Sequence, residues 1–225
     1  MALGQSLLNN TLGLSIFAVL TAGIIAVTQS ETATRISENE LAARSRALFE
    51  IMPQALHDNV LLNDTIPLHH ASLVGKGGSG EINVAMKDGE VAGFIFPAIA
   101  PDGYSGPIKS IVGIDRNGVI TGVRVLNHQE TPGLGDKIEL KKSDWVLQFN
   151  GRSFDNPETI DWKVDKDGGA FDSLTGATIT PRAVVGSVQR ALEYFALNQE
   201  QLLAFQPKAV AEALPDGQQL NETTE

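Results

Sequence analysis

The chain has 225 residues, 42% of them hydrophobic, and its 27 Asp and Glu against 17 Lys and Arg give a formal net charge of −10. That is enough for one globular domain of ordinary size plus appendages. The acid excess and an aromatic content of only 6% argue against a nucleic-acid surface, which needs clustered Lys and Arg or a stacking platform. The absence of cysteine excludes a cysteine-ligated iron–sulfur cluster, a thiol nucleophile and any disulfide within the chain, and leaves the compartment open.

Residues 1–6 form a short leading segment, and the stretch from about Leu7 to Val27 then carries no charged side chain. Its length suits one membrane crossing, so a transmembrane helix is expected over 7–28. The leading segment has no Lys or Arg and no clear small-x-small cleavage site follows, which favours an uncleaved anchor over a signal peptide. Arg35, Arg44 and Arg46 follow the span, and this bias taken alone puts the following domain on the cytoplasmic side.

A helical connector is expected within residues 29–75. From Ser37 to Leu56 the residues Leu41, Leu48, Phe49 and Met52 recur near helical spacing, Ser37 with Glu40 has the spacing of a capping box, and Pro53 marks a boundary. His57, His69 and His70 have no spacing that defines a metal site, so surface or loop positions are expected for them. Gly75-Lys-Gly-Gly-Ser-Gly80 is glycine-rich but leads into a strand pattern, so it is no phosphate-binding loop.

Two hairpins follow. Ile82 to Lys87 and Val91 to Phe96 flank Asp88-Gly89, and Lys109 to Ile114 and Val119 to Val125 flank Asn117-Gly118. A second glycine stands at the same offset in each, Gly93 and Gly122, which suggests a degenerate repeat packed as one antiparallel sheet or two small ones. Between the hairpins, Ile99 to Pro107 must be a shaped loop, and His128 to Lys137 is a poor strand of adjacent Pro and Gly. Trp145 to Gly151 reads as a short strand or a helix end, with Trp145 and Trp162 as core or rim residues.

Asp172-Ser-Leu-Thr175-Gly176-Ala177-Thr178 is a polar turn running into a helix. Thr180 is the expected N-cap and Pro181 the first helical residue, with Val184, Val185, Val188, Ala191, Leu192 and Phe195 on one face. Thr178 would then lie about two residues outside the helix N-terminus, where an anion is favoured. Local physics alone makes this a capped helix after a tight turn. Gln199 to Phe205 extends the helix, and 199–225 ends in a polar, acidic tail.

Asp172-x-x-Thr175-Gly176-Ala177-Thr178 resembles the flavin-acceptor motif of FMN-binding domains in Rnf- and Nqr-type respiratory complexes. Tyr104-x-Gly106-Pro107-Ile108 and His128-x-Glu130-Thr131-Pro132-Gly133-Leu134-Gly135 resemble segments of the same domain, in the same order. The likeness covers roughly Gly80 to Leu197. It implies an α+β fold: a transmembrane helix, then an FMN-binding domain (76–198) of antiparallel β-hairpins with packed helices.

The resemblance implies covalent FMN, left on Thr178 as a phosphodiester by a separate flavin transferase. It implies contacts to the cofactor from Asp172, Thr175, Gly176, Ala177, Thr180, His128, Glu130, Thr131, Gly133 and Leu134. Lys109 and Lys137 are further candidates to offset flavin or phosphate charge. No hydride-donor site is legible, so the reading is an electron-relay subunit of an Rnf-type ion-translocating oxidoreductase without independent catalysis. Its partners would be other membrane and redox subunits, the transferase and membrane lipid, with no nucleic acid. The resemblance places it in the cell inner membrane as a single-pass protein with its domain on the periplasmic side, against the Lys/Arg bias. The alternatives are the C subunit of a sodium-translocating quinone reductase and a membrane-tethered assembly module without flavin.

Overall fold

No glycine or proline stands between Thr28 and Met52, and the helix that begins at Ala2 runs unbroken to Ile51 (α1). The computed structural model describes residues 2–207; within α1, side chains are described from residue 10 onward except at 34, 37, 40 and 41. The helix start expected at Ser37 is therefore not formed. Ser37-x-x-Glu40 lies mid-helix, where the backbone N–H groups already have intrahelical acceptors. The helix ends just before Pro53, which disfavours helical backbone at Met52. The acidic tail beyond residue 207 lies outside the described residues.

Five strands follow: β1 (Thr65–Leu68), β2 (Gly80–Lys87), β3 (Glu90–Ala100), β4 (Ile108–Asp115) and β5 (Ile120–Asn127). They form one antiparallel sheet in sequential order, so both expected hairpins are present and share it. β1 and the short helix α2 (Ala71–Val74) were not legible in the sequence pattern. β1 includes Pro67 and exists by pairing with β2, as an edge strand that tolerates a missing N–H.

The period-2 alternation of the strands splits the core in two. Val84, Phe94, Phe96, Val112 and Val123 point to one face, which helix α3 (Ile179–Leu203) covers with Val184, Val185, Val188, Leu192 and Phe195. Ala85, Ile95 and Ile111 point to the other, which Leu48 and Ile51 of α1 and the following Met52 cover. Gly122 explains how α1 comes so close: a Cβ there would stand 2.8 Å from the Ile51 Cγ2. Gly93 makes the matching gap beneath Met52. The second glycine of each hairpin thus serves the docking of α1.

The residues between β5 and α3 form 3₁₀ turns rather than a strand. Asp144–Phe149 is one, capped by the Ser143 hydroxyl accepting from the Trp145 N–H at 3.2 Å. Trp145, Phe149, Trp162 and Phe171 pack ring on ring, with Phe149 and Phe171 centroids 4.9 Å apart. Both tryptophans are core residues. His57 is buried in the loop after α1, not on the surface, and bonds the Asn59 carbonyl at 2.9 Å; His69 and His70 are exposed.

Candidate functional site

The aromatic cluster sets the start of the Asp172 motif. The Trp145 indole N–H donates to the Asp172 carbonyl at 2.7 Å, and the Asp172 N–H donates to the Gln148 side chain at 2.8 Å. From this fixed point the chain turns tightly. Ala177 N–H closes on the Leu174 carbonyl at 3.1 Å, with Gly176 at φ 81°, a left-handed conformation that favours glycine. A Cβ at Gly176 would also come within 3.0 Å of Leu134, so this turn rests directly on the loop after β5.

A cleft of about 410 Å³ opens where three segments meet. The loop after β3 contributes Tyr104, the loop after β5 contributes Glu130, Thr131, Leu134 and Gly135, and the start of α3 contributes residues 176–180. Its volume falls in the range of small-molecule sites, roughly 300–1,000 Å³. Of the residues expected at the cofactor, Glu130, Thr131, Leu134, Gly176, Ala177, Thr178 and Thr180 line it. Asp172 and Thr175 are exposed outside it, Gly133 turns its N–H to Asp136 at 2.8 Å, and His128 lies behind the wall. Tyr104, Gly135 and Ile179 join the lining without having been singled out as site residues; an aromatic ring inside a Gly/Pro loop is the signal that could have marked Tyr104. Neither Lys109 nor Lys137 reaches the cleft. Lys109 lines a separate groove with Ile36, Ala43 and Arg44 of α1.

The helix begins two residues earlier than its local signals suggest. Ile179 is its first residue and Thr178 occupies the N-cap position. Thr180 is buried and donates its hydroxyl to the Glu130 carboxylate, so it does no capping. The Thr178 side chain makes no capping bond either, and its half-buried hydroxyl has no partner among the described residues. The N–H groups of Ile179 and Thr180 also find no acceptor among the described residues. With no Lys or Arg lining the cleft, these groups and the helix dipole supply its positive end.

Opposite them, Glu130 is 3% exposed and holds two walls together. One oxygen accepts from the Ser105 N–H at 2.9 Å and the other from the Thr180 hydroxyl. Outside the cleft, Asp167 holds Arg182 through two contacts of 2.6 Å, neutralising a cation in the first turn of α3. The Arg182 guanidinium keeps the Asp167 carboxyl below its ordinary range, and Asp167 raises Arg182 in return. The Ser173 hydroxyl likewise lowers Asp165, tying the loop to the motif.

The site fits a flavin mononucleotide. Leu134, Ala177, Ile179 and Tyr104 offer apolar and aromatic surface of the kind a ring needs, and the Thr178 hydroxyl with the Ile179 and Thr180 N–H groups, without partners among the described residues, is a donor set that suits a phosphate. Among the described residues, no group of His, Asp and Glu is arranged to hold a metal ion.

A family model described as FMN-binding domain matches residues 103–193, and one described as RnfG N-terminal region matches residues 1–51. The chain is 46% identical over 200 residues to the G subunit of the ion-translocating oxidoreductase complex of Pseudomonas aeruginosa, spanning 89% of this chain and 94% of that one. It is 45% identical to the protein of that name from Shewanella loihica (88% and 94% covered) and 47% identical to that from Vibrio cholerae (86% and 92%). A crystal structure of the C subunit of the Na(+)-translocating NADH-quinone reductase from Parabacteroides distasonis is similar at a TM-score of 0.42 and 22% identity, over 57% of this chain and 65% of that one.

Proposed function

The chain belongs to the family of G subunits of ion-translocating oxidoreductase complexes, and from that premise we propose that it relays electrons through FMN joined to Thr178 by a phosphodiester bond. It is an FMN-binding, membrane-located subunit of a larger, multi-chain complex. The observation that carries the attachment reading is the position of Thr178. Its hydroxyl has no partner among the described residues, it faces a cleft walled by three distant segments, and it stands at the positive end of a 25-residue helix. Every residue lining that cleft falls within the matched FMN-binding region.

FMN supplies the redox chemistry when bound. The chain's own residues bind and orient. The helix start would offset the one charge that a phosphodiester retains, and the covalent bond would keep the cofactor from dissociating between electron transfers. Leu134, Ala177 and Ile179 give one side of the cleft an apolar surface, and Tyr104, 66% exposed, forms its open rim. Attachment would form the bond from Thr178 Oγ to phosphorus as the FAD pyrophosphate breaks, with AMP leaving and the hydroxyl proton released. A separate flavin transferase would carry out this step.

α1 contains one stretch long and apolar enough to cross a membrane, Asn10–Ala33, with a mean hydropathy of 2.1 and none of it buried in the protein. We place the domain on the periplasmic side of the inner membrane, with the other redox and membrane subunits as its electron partners. The bias rests on only three arginines after the span, and a long following domain is translocated largely regardless of such charge.

The attachment test uses full-length protein made in cells that contain the transferase. Denatured on a gel, the wild type should fluoresce as a flavin, and its intact mass should carry the FMN increment; Thr178→Ala should show neither. Flavin retained by denatured Thr178→Ala refutes the attachment at this residue. A colourless wild-type protein refutes the flavin reading altogether.

A further inference from the structure

His128 lies behind the cleft wall, and its ring is engaged at both nitrogens. Nδ1 accepts the backbone N–H of Glu130 at 3.0 Å, and Nε2 lies 2.8 Å from a carboxylate oxygen of Glu139. An amide N–H can only donate and a carboxylate accepts, so the single ring proton sits on Nε2. Only this neutral tautomer serves both partners. The N–H that it holds belongs to Glu130, whose buried carboxylate in turn holds Ser105 and Thr180. The ring is therefore linked, through one residue, to all three segments that build the cleft.

We infer that His128 is a positioning residue for the flavin cleft, and that one proton added at Nδ1 releases it. The proton comes from solvent and the ring becomes a cation. Nδ1–H and the Glu130 N–H then face each other as two donors, and their hydrogen bond is lost. Glu139 holds either form of the ring, whereas the Glu130 N–H holds only the neutral one. Relaxation must turn the peptide at Glu130 or withdraw the ring, and either movement shifts a carboxylate that faces the cleft beside Thr178.

The charged surroundings of His128 come from several elements. On its own segment there is Glu130. From the 3₁₀ turn at Gly135–Ile138 and the residues after it come Asp136, turned to the Gly133 N–H with Lys142 at 3.8 Å, and Glu139. Glu139 also lines a groove with Arg46 and Glu50 of α1, Arg124 of β5 and Lys141. Arg124 is paired to Glu50 at 2.7 Å, and the nearest part of α3 brings the uncharged Thr180.

The inference rests on the flavin reading only for its optical readout, and nuclear magnetic resonance tests it without flavin. The chain has four histidines, so ¹⁵N imidazole signals of the full-length protein in detergent are assigned by their loss in His128→Asn. At the alkaline end the His128 signals should be those of the Nε2–H tautomer. As Nδ1 takes up its proton on acidification, the Nδ1 and Glu130 amide signals should shift together on one single-proton curve. In flavin-loaded protein the visible spectrum of the oxidised flavin should follow the same curve.

His128→Asn keeps a carbonyl acceptor near the Nδ1 position but cannot titrate. Its Glu130 amide should stay at the high-pH position throughout, with no spectral change. His128→Ala should fix that amide at its low-pH position. An Nδ1–H tautomer, a Glu130 amide that ignores the ring, or an Asn variant that titrates as the wild type does would each overturn the inference. Colourless protein would refute the flavin reading, while the resonance data would still decide the role of His128.

Discussion

Glu130 is where the structure makes its sharpest energetic commitment. It is buried, has no cation within ion-pairing distance among the described residues, and accepts from both the Ser105 N–H and the Thr180 hydroxyl. A hydrogen bond to a charged acceptor contributes about 1.5–3 kcal/mol, and a donor stranded in the interior costs about as much. Ser105 is exposed, so its N–H recovers water when Glu130 is lost; Thr180, at 1% exposure, does not. Glu130→Ala should therefore cost about 2–4 kcal/mol, dominated by Thr180. Glu130→Gln keeps the shape and sheds a buried charge, so it should cost about 1 kcal/mol.

A double-mutant cycle with Thr180→Val isolates the pair. The coupling should be about 1.5–3 kcal/mol, because once one partner is gone the other loses nothing further. The assay is thermal unfolding of the full-length chain in detergent, followed by near-ultraviolet circular dichroism of Trp145 and Trp162. Each kcal/mol should move the midpoint by about 2–4 °C in a chain of this size. Additivity within about 0.5 kcal/mol would refute the reasoning, as would a Glu130→Ala protein that melts with the wild type.

Two further outcomes test the docking of α1 and the placement of the domain. Gly122→Ala puts a Cβ 2.8 Å from the Ile51 Cγ2 and 3.1 Å from its Cβ, so it should destabilise by about 1–3 kcal/mol in the same melt, and an unchanged midpoint would mean that α1 is not held against the sheet as described. Because the natural chain has no cysteine, Asn150→Cys at an exposed position gives a single label site. An impermeant maleimide should label it in intact spheroplasts; labelling only after permeabilisation would put the domain in the cytoplasm.

What the sequence reveals of this fold follows the range of the forces involved. Asp88-Gly89 and Asn117-Gly118 fix their hairpins through local backbone preference, so both turns are legible. Thr65–Leu68 becomes a strand only because β2 lies beside it, and four residues containing a proline carry no pattern of their own. The continuity of α1 was written in the sequence as an absence, since no breaker occurs between Thr28 and Met52. The capping-box spacing at Ser37 outweighed that absence in a purely local reading.

At the site, the residue types of all three segments are visible in the chain, but their assembly depends on bonds across 25 residues (Ser105 to Glu130) and 50 residues (Glu130 to Thr180). Local rules give Thr180 a choice between capping a helix and bonding elsewhere, and a buried carboxylate decides it. Because Thr180 is committed to Glu130, the helix starts earlier, and the N-cap position falls to Thr178 in a helical backbone conformation (φ −88°, ψ −31°). A threonine in that conformation does not turn its hydroxyl back onto the helix. The bond that defeats the local reading of the cap is thus the one that moves Thr178 to the N-cap position, where the attachment proposed above would need its oxygen.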